Sequence, residues 1–509
     1  MNILYINPPQ IRAGLDYILK GHPLNLLSIA AMVPQHEAKL IDFKVHQYNE
    51  SQLKSEFNKY DVVAITSLTP QIYSALKIAE LAKSRGCKTI LGGYHPTLDP
   101  EFVVNHNSVD YLIRGEGENT FRELISYLEN DTKNNLRKEI DGISYIDKNG
   151  KIIHTKNRCL EPDLDAFPKP RRDLIDYNDY SLIASLETSR GCPFSCKFCC
   201  IHKMWEDPRN ILKYRTKSIK RVMQEIYDIN RKNNFVFFVD DNFTINLKRT
   251  KKILKTIIES NISSKFYFTC QSRIDTLYQN PWLIDLMHKA GMRQIFLGIE
   301  SVHQQSLNRM NKQNITPSMT RKVVKMLQDR GICIFGGVII GYPGETKKMV
   351  RQTIQFIKEL EIDFVQFTPI TAFPGTEFFE EMESENKIKT RNYRRYDLFH
   401  SMMATEELTE KELHELVIEA YSYYYFDAKW LQLLTKRYMN PFGKYNWMIS
   451  KIPTVTRKVI LSGLKMFKKQ GISSTMVSKD LKNINQGDKK LEKEETAHPE
   501  VEKLISQHI

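Results

Sequence analysis

The chain has 509 residues, which is enough for about three domains at ~150 residues each, and 41% of them are hydrophobic. No stretch approaches the ~18 apolar residues of a membrane-spanning helix, and the N-terminus "MNILYINPPQ" lacks the charged and apolar regions of a signal peptide. We therefore expect a cytoplasmic protein without disulfides, and we trace most of its net charge of +14 to one C-terminal segment.

Residues 1–150 alternate apolar strands with helical segments. The predicted strands are "MNILYIN" and segments 38–43, 61–67, 88–93 and 109–117, and the predicted helices are 23–36 and 72–86. This alternation predicts a Rossmann-like, doubly wound parallel sheet. Its glycine-rich turns lie at strand ends, which suits a phosphate- or nucleotide-bearing ligand. The segment has no G-x-G-x-x-G, so a nicotinamide-binding domain is not expected.

Residues 151–184 are rich in proline and charge, which predicts a linker on the surface. The stretch "ETSRGCPFSCKFCC" follows and holds four of the eight cysteines. Cys192, Cys196 and Cys199 are spaced C-x3-C-x2-C. A zinc site usually needs two ligand pairs and no second pair follows, although His202 could complete a tetrad. Three thiolates on one loop better suit a cubane iron–sulfur cluster with one open iron.

Six predicted β/α units follow, over residues 185–385. The strands are 185–189, 235–241, 266–275, 293–301, 332–345 and 363–370, and the helices include 217–232, 247–260, 317–330 and 346–360. The pattern predicts a parallel sheet covered by helices, either open or closed into a partial (β/α)6 barrel. Polar or glycine-rich residues end each strand, and ligands of such folds lie at those ends.

The C-terminal region, residues 386–482, is predicted to be mainly helical and basic. Residues 402–426 are predicted to be helical and end in "YSYYYF". Between Ala428 and Lys482 there are twelve Lys or Arg against one acid, Asp480, and the aromatic residues of this stretch include Trp430, Tyr438, Tyr445 and Trp447. A basic amphipathic helix at 455–469 favours binding to an anionic membrane surface. The alternatives are a helical cap with a solvated basic face and, with no RNA-binding module found, a nucleic-acid site. Residues 483–509 are predicted to form a disordered tail.

The cysteine loop, with Phe198 before its third cysteine, resembles the cluster loop of the radical S-adenosylmethionine (SAM) enzymes. The resemblance implies that Cys192, Cys196 and Cys199 hold a 4Fe–4S cluster, whose fourth iron chelates the amino and carboxylate groups of SAM. One electron then cleaves SAM to a 5′-deoxyadenosyl radical, and the donor is a reductant such as flavodoxin or ferredoxin. We interpret Cys200 as a small buried residue beside the cluster.

The resemblance extends to the strand ends. It implies that Asp240 and Asp241 contact the methionine amino group and Glu300 the ribose. "GVIIG", Gly337 to Gly341, implies packing on the adenine side, and "TPITAFPGT", which contains Pro369, resembles the segment that lines the adenine pocket. Phe198 is expected to lean on the adenine, and Arg273 to face cofactor or substrate.

Residues 1–150 resemble the cobalamin-binding domain of one branch of these enzymes, through "NPP", "PLNLLSIAAMV", "LGGYHPTLDPE" and "IRGEGENTF". That branch includes methyltransferases acting at unactivated carbon, hopanoid methylases and the anaerobic cyclase of bacteriochlorophyll synthesis. The resemblance implies a site lined by these residues: Gly92, Gly93, His95, Pro96, Thr97 and Glu116. The D-x-H-x-x-G motif that supplies a cobalt ligand is absent. We therefore expect His95 to be a wall or hydrogen-bonding residue.

We predict a cobalamin-dependent radical SAM methyltransferase acting at an unactivated carbon of a lipophilic substrate. The basic C-terminal region favours peripheral attachment to the membrane. A second enzymatic hypothesis keeps the cofactors but forms rings or oxidises carbon. A hypothesis of another class is an iron–sulfur redox sensor or binding protein. A sensor has no need of the SAM-binding residues at the strand ends, so this third hypothesis is disfavoured.

Overall fold

A computed structural model describes the residues between Met1 and Trp447, with gaps: 1–9, 20–47, 50–130, 136–180, 183–229, 235–425, 427–438, 440, 443–445 and 447. Two central sheets, each flanked by helices, dominate this part of the chain. The predicted α/β fold class is confirmed. None of the helices in the described ranges is long and apolar enough to cross a bilayer.

The first sheet has seven strands in the order β2-β1-β3-β4-β5-β6-β7. The strands are β1 Asn2–Asn7, β2 Glu37–Asp42, β3 Val62–Thr66, β4 Lys88–Gly92, β5 Tyr111–Ile113, β6 Ile143–Ile146 and β7 Ile152–His154. Its helices are α1 Leu24–Ala31, α2 Glu50–Phe57, α3 Ile72–Lys83, α4 Tyr94–Leu98, α5 Pro100–Val104 and α6 Glu118–Glu129. All five residues of β3 are buried, as expected for a parallel strand covered on both faces.

The first five strands are parallel and match the prediction, but β6 and β7 add an antiparallel hairpin at one edge. The sheet is therefore mixed rather than purely parallel. The hairpin turns at Asn149 and Gly150, where Gly150 has a φ of +78° and the Asp147 carboxylate accepts the backbone N–H of Asn149. An Asn-Gly pair between two apolar runs predicts a hairpin, so this element could have been predicted from the sequence. The strand β7 lies beyond residue 150, in the predicted linker.

The second sheet has six parallel strands that follow one another in chain order. They are β8 Ile183–Leu186, β11 Phe235–Phe238, β12 Tyr267–Ser272, β13 Met292–Glu300, β14 Cys333–Ile340 and β15 Phe364–Pro369, and a short pair, β9 Ser189–Arg190 and β10 Arg215–Thr216, follows β8. The helices are α7 Ile201–Met204, α8 Ile219–Asp228, α9 Leu247–Glu259, α10 Ile274–Gln279, α11 Pro281–Lys289, α12 Gln304–Arg309, α13 Pro317–Asp329 and α14 Lys347–Glu359.

The main covering helices of this sheet begin at residues suited to capping. Ser218, Asn246 and Thr346 each accept the backbone N–H three residues ahead, which satisfies one of the free donors of the first turn. On α14 the buried residues Val350, Ile354 and Ile357 recur at helical spacing and pack into the core of the second sheet. Because the six strands are parallel, their carboxyl ends lie at the same side of the sheet.

Three further helices complete the described part of the chain: α15 Glu377–Ser384, α16 Glu410–Tyr425 and α17 Ala428–Tyr438. The helix α16 packs on β14 and β15, and Tyr425 exchanges two hydrogen bonds with the backbone of Val365, of 2.6 and 2.7 Å. Trp430, Tyr438, Tyr445 and Trp447 are at most 8% exposed. These aromatic side chains cap the second sheet, as one alternative proposed. The predicted helix 455–469 and the tail 483–509 lie outside the described residues.

Candidate active site between the two sheets

The cysteine loop leaves the carboxyl end of the second sheet after β8 and β9. Gly191 opens it with a φ of +86°, and a Cβ there would lie 2.4 Å from the carbonyl oxygen of Lys213, so only glycine fits this turn. The N–H of Gly191 donates to Asp241 Oδ2 at 2.9 Å, and the N–H of Cys199 donates to the carbonyl of Cys196 at 3.0 Å. The loop is therefore held at its start and closed on itself.

Cys192, Cys196 and Cys199 are partly exposed thiols, and none of the described cysteines forms a disulfide. Burial raises the pKa of the Cys199 thiol, and the neighbouring sulfurs of Cys200, Cys196 and Cys192 raise it further. Within the described ranges, no three His, Cys, Asp or Glu side chains surround a single ion position. His202 is not placed as a fourth zinc ligand, because its Nε2 is bonded to the carbonyl of Phe194. Three adjacent thiols fit a cubane cluster, in which each thiolate binds a different iron.

Aromatic and charged side chains surround this loop. The guanidinium of Arg273 lies 3.8 Å from the ring centre of Phe194 and is paired with Asp275 at 2.7 Å. Phe198 packs against the apolar cluster that contains Ile339 and Ile370, at the ends of β14 and β15. The structure thus brings the predicted residues Phe198 and Arg273 together with the cysteines.

Glu300 ends β13 at a bulge, with a φ of +62° that is unusual for a residue other than glycine. Its carboxylate forms an ion pair with Lys312, which is only 7% exposed and lies 5.9 Å from the ring centre of Phe198. Sequence reasoning missed Lys312, because a lysine among the polar residues of "NRMNKQN" gives no sign of burial. Lys312 is a candidate for binding a carboxylate or hydroxyl beside Phe198.

The two acids after β11 lie in different surroundings. Asp240 is 1% exposed, and its carboxylate accepts the N–H of Thr188 and the hydroxyl of Ser189, both at 2.6 Å. Asp241 accepts the N–H groups of Gly191 and of the Trp205 indole. Burial raises the pKa of Asp241 to about 6, although the Gly191 hydrogen bond opposes the shift. Asp240 therefore ties the start of the loop to the sheet, while Asp241 faces the open space described next.

A cavity of about 310 Å³ separates the two sheets. Strand ends of the first sheet form one side of the cavity, and both flanks of the cysteine loop form the other. The lining includes Thr66, Gly92, Gly93, Tyr94, Gly115, Glu116, Glu118, Glu187, Arg190, Trp205 and Asp241. Other lining side chains are apolar and buried, among them Ile65, Ile90 and Phe121. The volume falls within the range of small-molecule sites, which start at about 300 Å³.

Gly93 shapes this cavity. Its φ is +102°, and a Cβ there would lie 2.8 Å from Thr66 Oγ1. Tyr94, the next residue, lines the cavity. Burial raises the pKa of its phenol well above the usual value, and the nearby Asp241 carboxylate and the Cys200 and Cys199 thiols raise it further. A lining that combines apolar and polar side chains fits part of a large amphiphilic cofactor such as cobalamin. Gly92, Gly93 and Glu116 would line its site, with Tyr94 between it and the cysteine loop.

The structure does not bring His95, Pro96 or Thr97 into the cavity lining. His95 is fully buried, with its ring centre 4.4 Å from that of Tyr393, and neither ring nitrogen has a hydrogen-bond partner among the described residues. Burial lowers the pKa of His95 to about 4, so the ring is neutral. Thr97 accepts from Gly115 N at 2.9 Å and donates to the carbonyl of Gly93 at 2.8 Å, which fixes two of the loops that line the cavity.

The three residues predicted on the adenine side have packing contacts of their own. A Cβ at Gly337 would lie 2.9 Å from the Phe296 ring, and one at Gly341 would lie 1.9 Å from Leu413 of α16. Pro369 is the buried last residue of β15 and pairs with Ile340. Close packing by α16 therefore accounts for Gly341, and adenine contact by these residues stays a prediction.

A buried ionic network at the cavity wall was not predicted. Arg190, 6% exposed, donates to Glu116 at 2.7 Å, to Glu118 at 2.6 Å and to Glu187 at 2.9 Å, and Arg215 donates to Glu116 at 2.8 Å. Burial alone would lower the pKa of Arg190 and raise that of Glu118, but the opposite charges hold the first well above and the second below its usual value. Both side chains are therefore ionised.

Comparisons with known proteins agree with this arrangement. A model of the "Radical SAM superfamily" matches residues 186–357, and one of the "B12 binding domain" matches residues 15–125. An uncharacterized methyltransferase of Pyrococcus horikoshii is 32% identical over 84% of this chain and 93% of its own length. The chain belongs to the B12-binding radical SAM enzymes. Its cofactors are a 4Fe–4S cluster, SAM and cobalamin, as predicted.

Other members of the B12-binding radical SAM enzymes are more distant. The anaerobic magnesium-protoporphyrin IX monomethyl ester cyclase of Rubrivivax gelatinosus is 25% identical over 92% of this chain and 83% of its own. Among solved structures, the cobalamin-dependent enzyme OxsB superposes with a TM-score of 0.67 at 18% identity, over 90% of this chain and 72% of that one. The methyltransferase TsrM of Kitasatospora setae gives 0.63 at 17% identity, over 76% and 77%. These two likenesses support the same fold.

The placement of His95 leads to a spectroscopic prediction. Protein loaded with cobalamin and reduced to the cobalt(II) state is expected to show no nitrogen coupling from a protein imidazole in electron paramagnetic resonance, because no histidine of the described ranges lines the cavity. His95→Ala is expected to leave that spectrum unchanged and to lower the melting temperature, since it empties a buried site against Tyr393. Nitrogen coupling that disappears in the alanine variant would contradict this assignment.

Proposed function

We propose that the chain transfers a methyl group from SAM to an unactivated carbon of a lipophilic substrate. The observation that carries this proposal is the shared wall, because the cavity assigned to cobalamin is lined by residues on both flanks of the cysteine loop. Methyl transfer by these cofactors needs the radical source and the methyl donor to reach one substrate, and a common wall supplies that proximity.

The chain's own residues would hold and separate the two cofactors. Cys192, Cys196 and Cys199 would hold the irons, and Asp241 fixes the start of their loop through the N–H of Gly191. When bound, the cluster with SAM supplies hydrogen abstraction and cobalamin supplies the methyl group. Lys312 and Glu300, buried beside Phe198, would face the ribose of SAM, the contact that the resemblance implies for Glu300.

The relatives support a large, apolar substrate. They include a hopanoid C-3 methylase of Methylococcus capsulatus, 26% identical over 76% of this chain, and a bacteriochlorophyllide d C-12(1)-methyltransferase of Chlorobaculum tepidum, 26% identical over 86%. Polycyclic lipids and tetrapyrroles share a broad apolar surface. Ring formation or oxidation of such a molecule is the second candidate, favoured by the cyclase of Rubrivivax gelatinosus, which matches 92% of this chain.

The test uses SAM labelled in its methyl group. Reconstituted protein, given a low-potential reductant and lipid and pigment extracts from a strain lacking this chain, is expected to place the label in one extracted compound and to release 5′-deoxyadenosine. Mass spectrometry of extracts from the same strain should show that compound without its methyl group. Deoxyadenosine formed together with an unlabelled, oxidised product would instead establish the second candidate.

The remaining partners belong to the same proposal. We infer a reductant such as flavodoxin or ferredoxin, because cleavage of SAM consumes one electron. We place the enzyme in the cytoplasm, held at an anionic membrane by the basic residues beyond Trp447. Eight of the twelve basic residues between Ala428 and Lys482 lie there, and each contributes about 1 kcal/mol near an anionic surface. Trp430, Tyr438, Tyr445 and Trp447 are buried, so the contact rests on the basic residues and on the predicted amphipathic helix 455–469.

A further inference from the structure

The residues that flank the cysteine loop also line the cavity. Ser189 and Arg190 precede the loop, Met204 and Trp205 follow it, and all four line the cavity. Asp241 also lines the cavity and accepts hydrogen bonds from both sides of the loop, from Gly191 N at 2.9 Å and from Trp205 Nε1 at 3.0 Å. A ligand in the cavity therefore contacts both flanks of the segment that carries the cluster cysteines.

Arg190 joins this wall to the first sheet. It lies two residues before Cys192, yet it donates to Glu116 and Glu118, which precede and begin α6 on the other side of the cavity. Its guanidinium also lies 5.3 Å from the ring centre of Trp205, which follows the cysteine loop in the chain. Arg215 adds a second cation on Glu116 at 2.8 Å. The side chains of Arg190, Glu116 and Glu118 are at most 7% exposed, so water does not replace these contacts.

We propose that Arg190 is a positioning residue that couples the two cofactor sites, so that cobalamin in the cavity and a cluster on the cysteine loop each favour binding of the other. This inference rests on the proposed use of the cavity by cobalamin. The physical basis is that loading either site fixes the same side chains. A loop ordered by iron holds Arg190 and Trp205 in place for the cavity ligand, and the ligand in turn holds them for the loop. Such coupling is reciprocal in binding free energy.

The experiment measures hydroxocobalamin binding to the full chain with and without the reconstituted cluster, by equilibrium dialysis. We expect the dissociation constant to be about tenfold lower with the cluster, within the usual range of coupling between sites. In the reverse direction, cobalamin should slow iron loss to a chelator. Glu118→Gln should reduce the ratio of the two dissociation constants towards one. Any direct contact between Glu118 and cobalamin cancels, because it weakens binding in both states alike.

The matched control is Asp363→Asn. Asp363 is also a buried carboxylate paired with an arginine, Arg437 at 2.9 Å. It immediately precedes β15 and so lies at the amino ends of the strands, away from the cysteine loop at their carboxyl ends. The Asp363→Asn variant should have a lower melting temperature and the wild-type ratio of dissociation constants. Arg190→Lys, which keeps the charge but not the fork that reaches three carboxylates, gives a second test at the arginine itself.

A wild-type ratio of one, or an unchanged ratio in both Glu118→Gln and Arg190→Lys, would overturn the coupling while leaving the proposed function intact. Wild-type protein that binds no cobalamin in either state would reject the proposed function and the coupling with it. A ratio lowered equally by Asp363→Asn would show that general loss of stability, and not the network at Arg190, carries the effect, and would also overturn the proposal.

Discussion

Alanine variants of Cys192, Cys196 and Cys199 are each expected to lose the cluster and all detectable cleavage of SAM. The three thiols share one loop that is fixed by Gly191 and Asp241, and a cubane cluster held by three protein ligands has no spare thiolate in its shell. Wild-type protein reconstituted without oxygen should hold about four irons at this site. Iron and sulfide analysis, with chromatography of 5′-deoxyadenosine, measures both losses.

Cys200→Ala is the matched control, because it removes the adjacent thiol from the same loop. Cys200 immediately precedes α7, and a cluster that leaves one iron open for SAM needs only three thiolates. This variant should keep most of its iron and most of its SAM cleavage. If it lost its iron while Cys199→Ala kept a full cluster, the ligand assignment would be wrong.

The two sheets were predictable because each parallel strand is a short, buried, apolar run followed by an amphipathic helix. Thus "RQIFLGIES" predicted β13, observed as Met292–Glu300, and residues 346–360 predicted α14, observed as Lys347–Glu359. The hairpin of β6 and β7 was missed because both strands are short: β6 follows the last predicted strand of the first sheet, and β7 lies in the predicted linker. Its Asn149-Gly150 pair was the signal that would have identified it.

The candidate site was predictable where its residues are close in sequence. The cysteine spacing lies within one loop, whereas Arg190 meets Glu116 and Glu118 from more than seventy positions away. A single sequence gives no sign of such pairing, and charged residues in loops are normally solvated. The same limit applies to Gly341, whose nearest neighbour is Leu413 of α16. Local motifs therefore identified the cofactor class, and the contacts between the sheets required the structure.

The C-terminal aromatic residues show a second limit. A sequence dense in Tyr, Trp and Lys is compatible both with a membrane surface and with a buried cap, because these side chains have an apolar body and a polar tip. In the structure their polar tips meet the backbone at the amino end of β15: Trp430 donates to the carbonyl of Asp363 at 3.1 Å, and Tyr424 donates to that of Ile362. The basic charge beyond Trp447 is thus separable from the aromatic cap.

Ending the chain at Phe426 is expected to destabilise the whole second sheet. Asp363 is fully buried and accepts from Arg437 at 2.9 Å, from Tyr438 at 2.8 Å and from the N–H of Ile334 at 2.8 Å. Truncation leaves that carboxylate without its cation, and removing one partner of a buried ion pair costs about 3–5 kcal/mol. Loss of the Trp430 and Trp447 side chains from the core adds a penalty of similar size. Thermal unfolding followed by circular dichroism should show a fall in melting temperature of well over 10 °C, or no folded protein.

A chain ending at Trp447 retains those contacts and is therefore the proper control for the basic segment. It should unfold within a few degrees of the full chain, and it lacks eight of the twelve basic residues between Ala428 and Lys482.

In co-sedimentation with anionic vesicles at low salt, the full chain should pellet and the chain ending at Trp447 should stay in the supernatant. Binding by the full chain should weaken with added salt, because exposed charges are screened over ~10 Å at 0.1 M. Equal pelleting of the two chains, or pelleting of neither, would exclude the basic segment as a membrane contact. Equal melting temperatures of the chains ending at Phe426 and Trp447 would contradict the role of the aromatic cap.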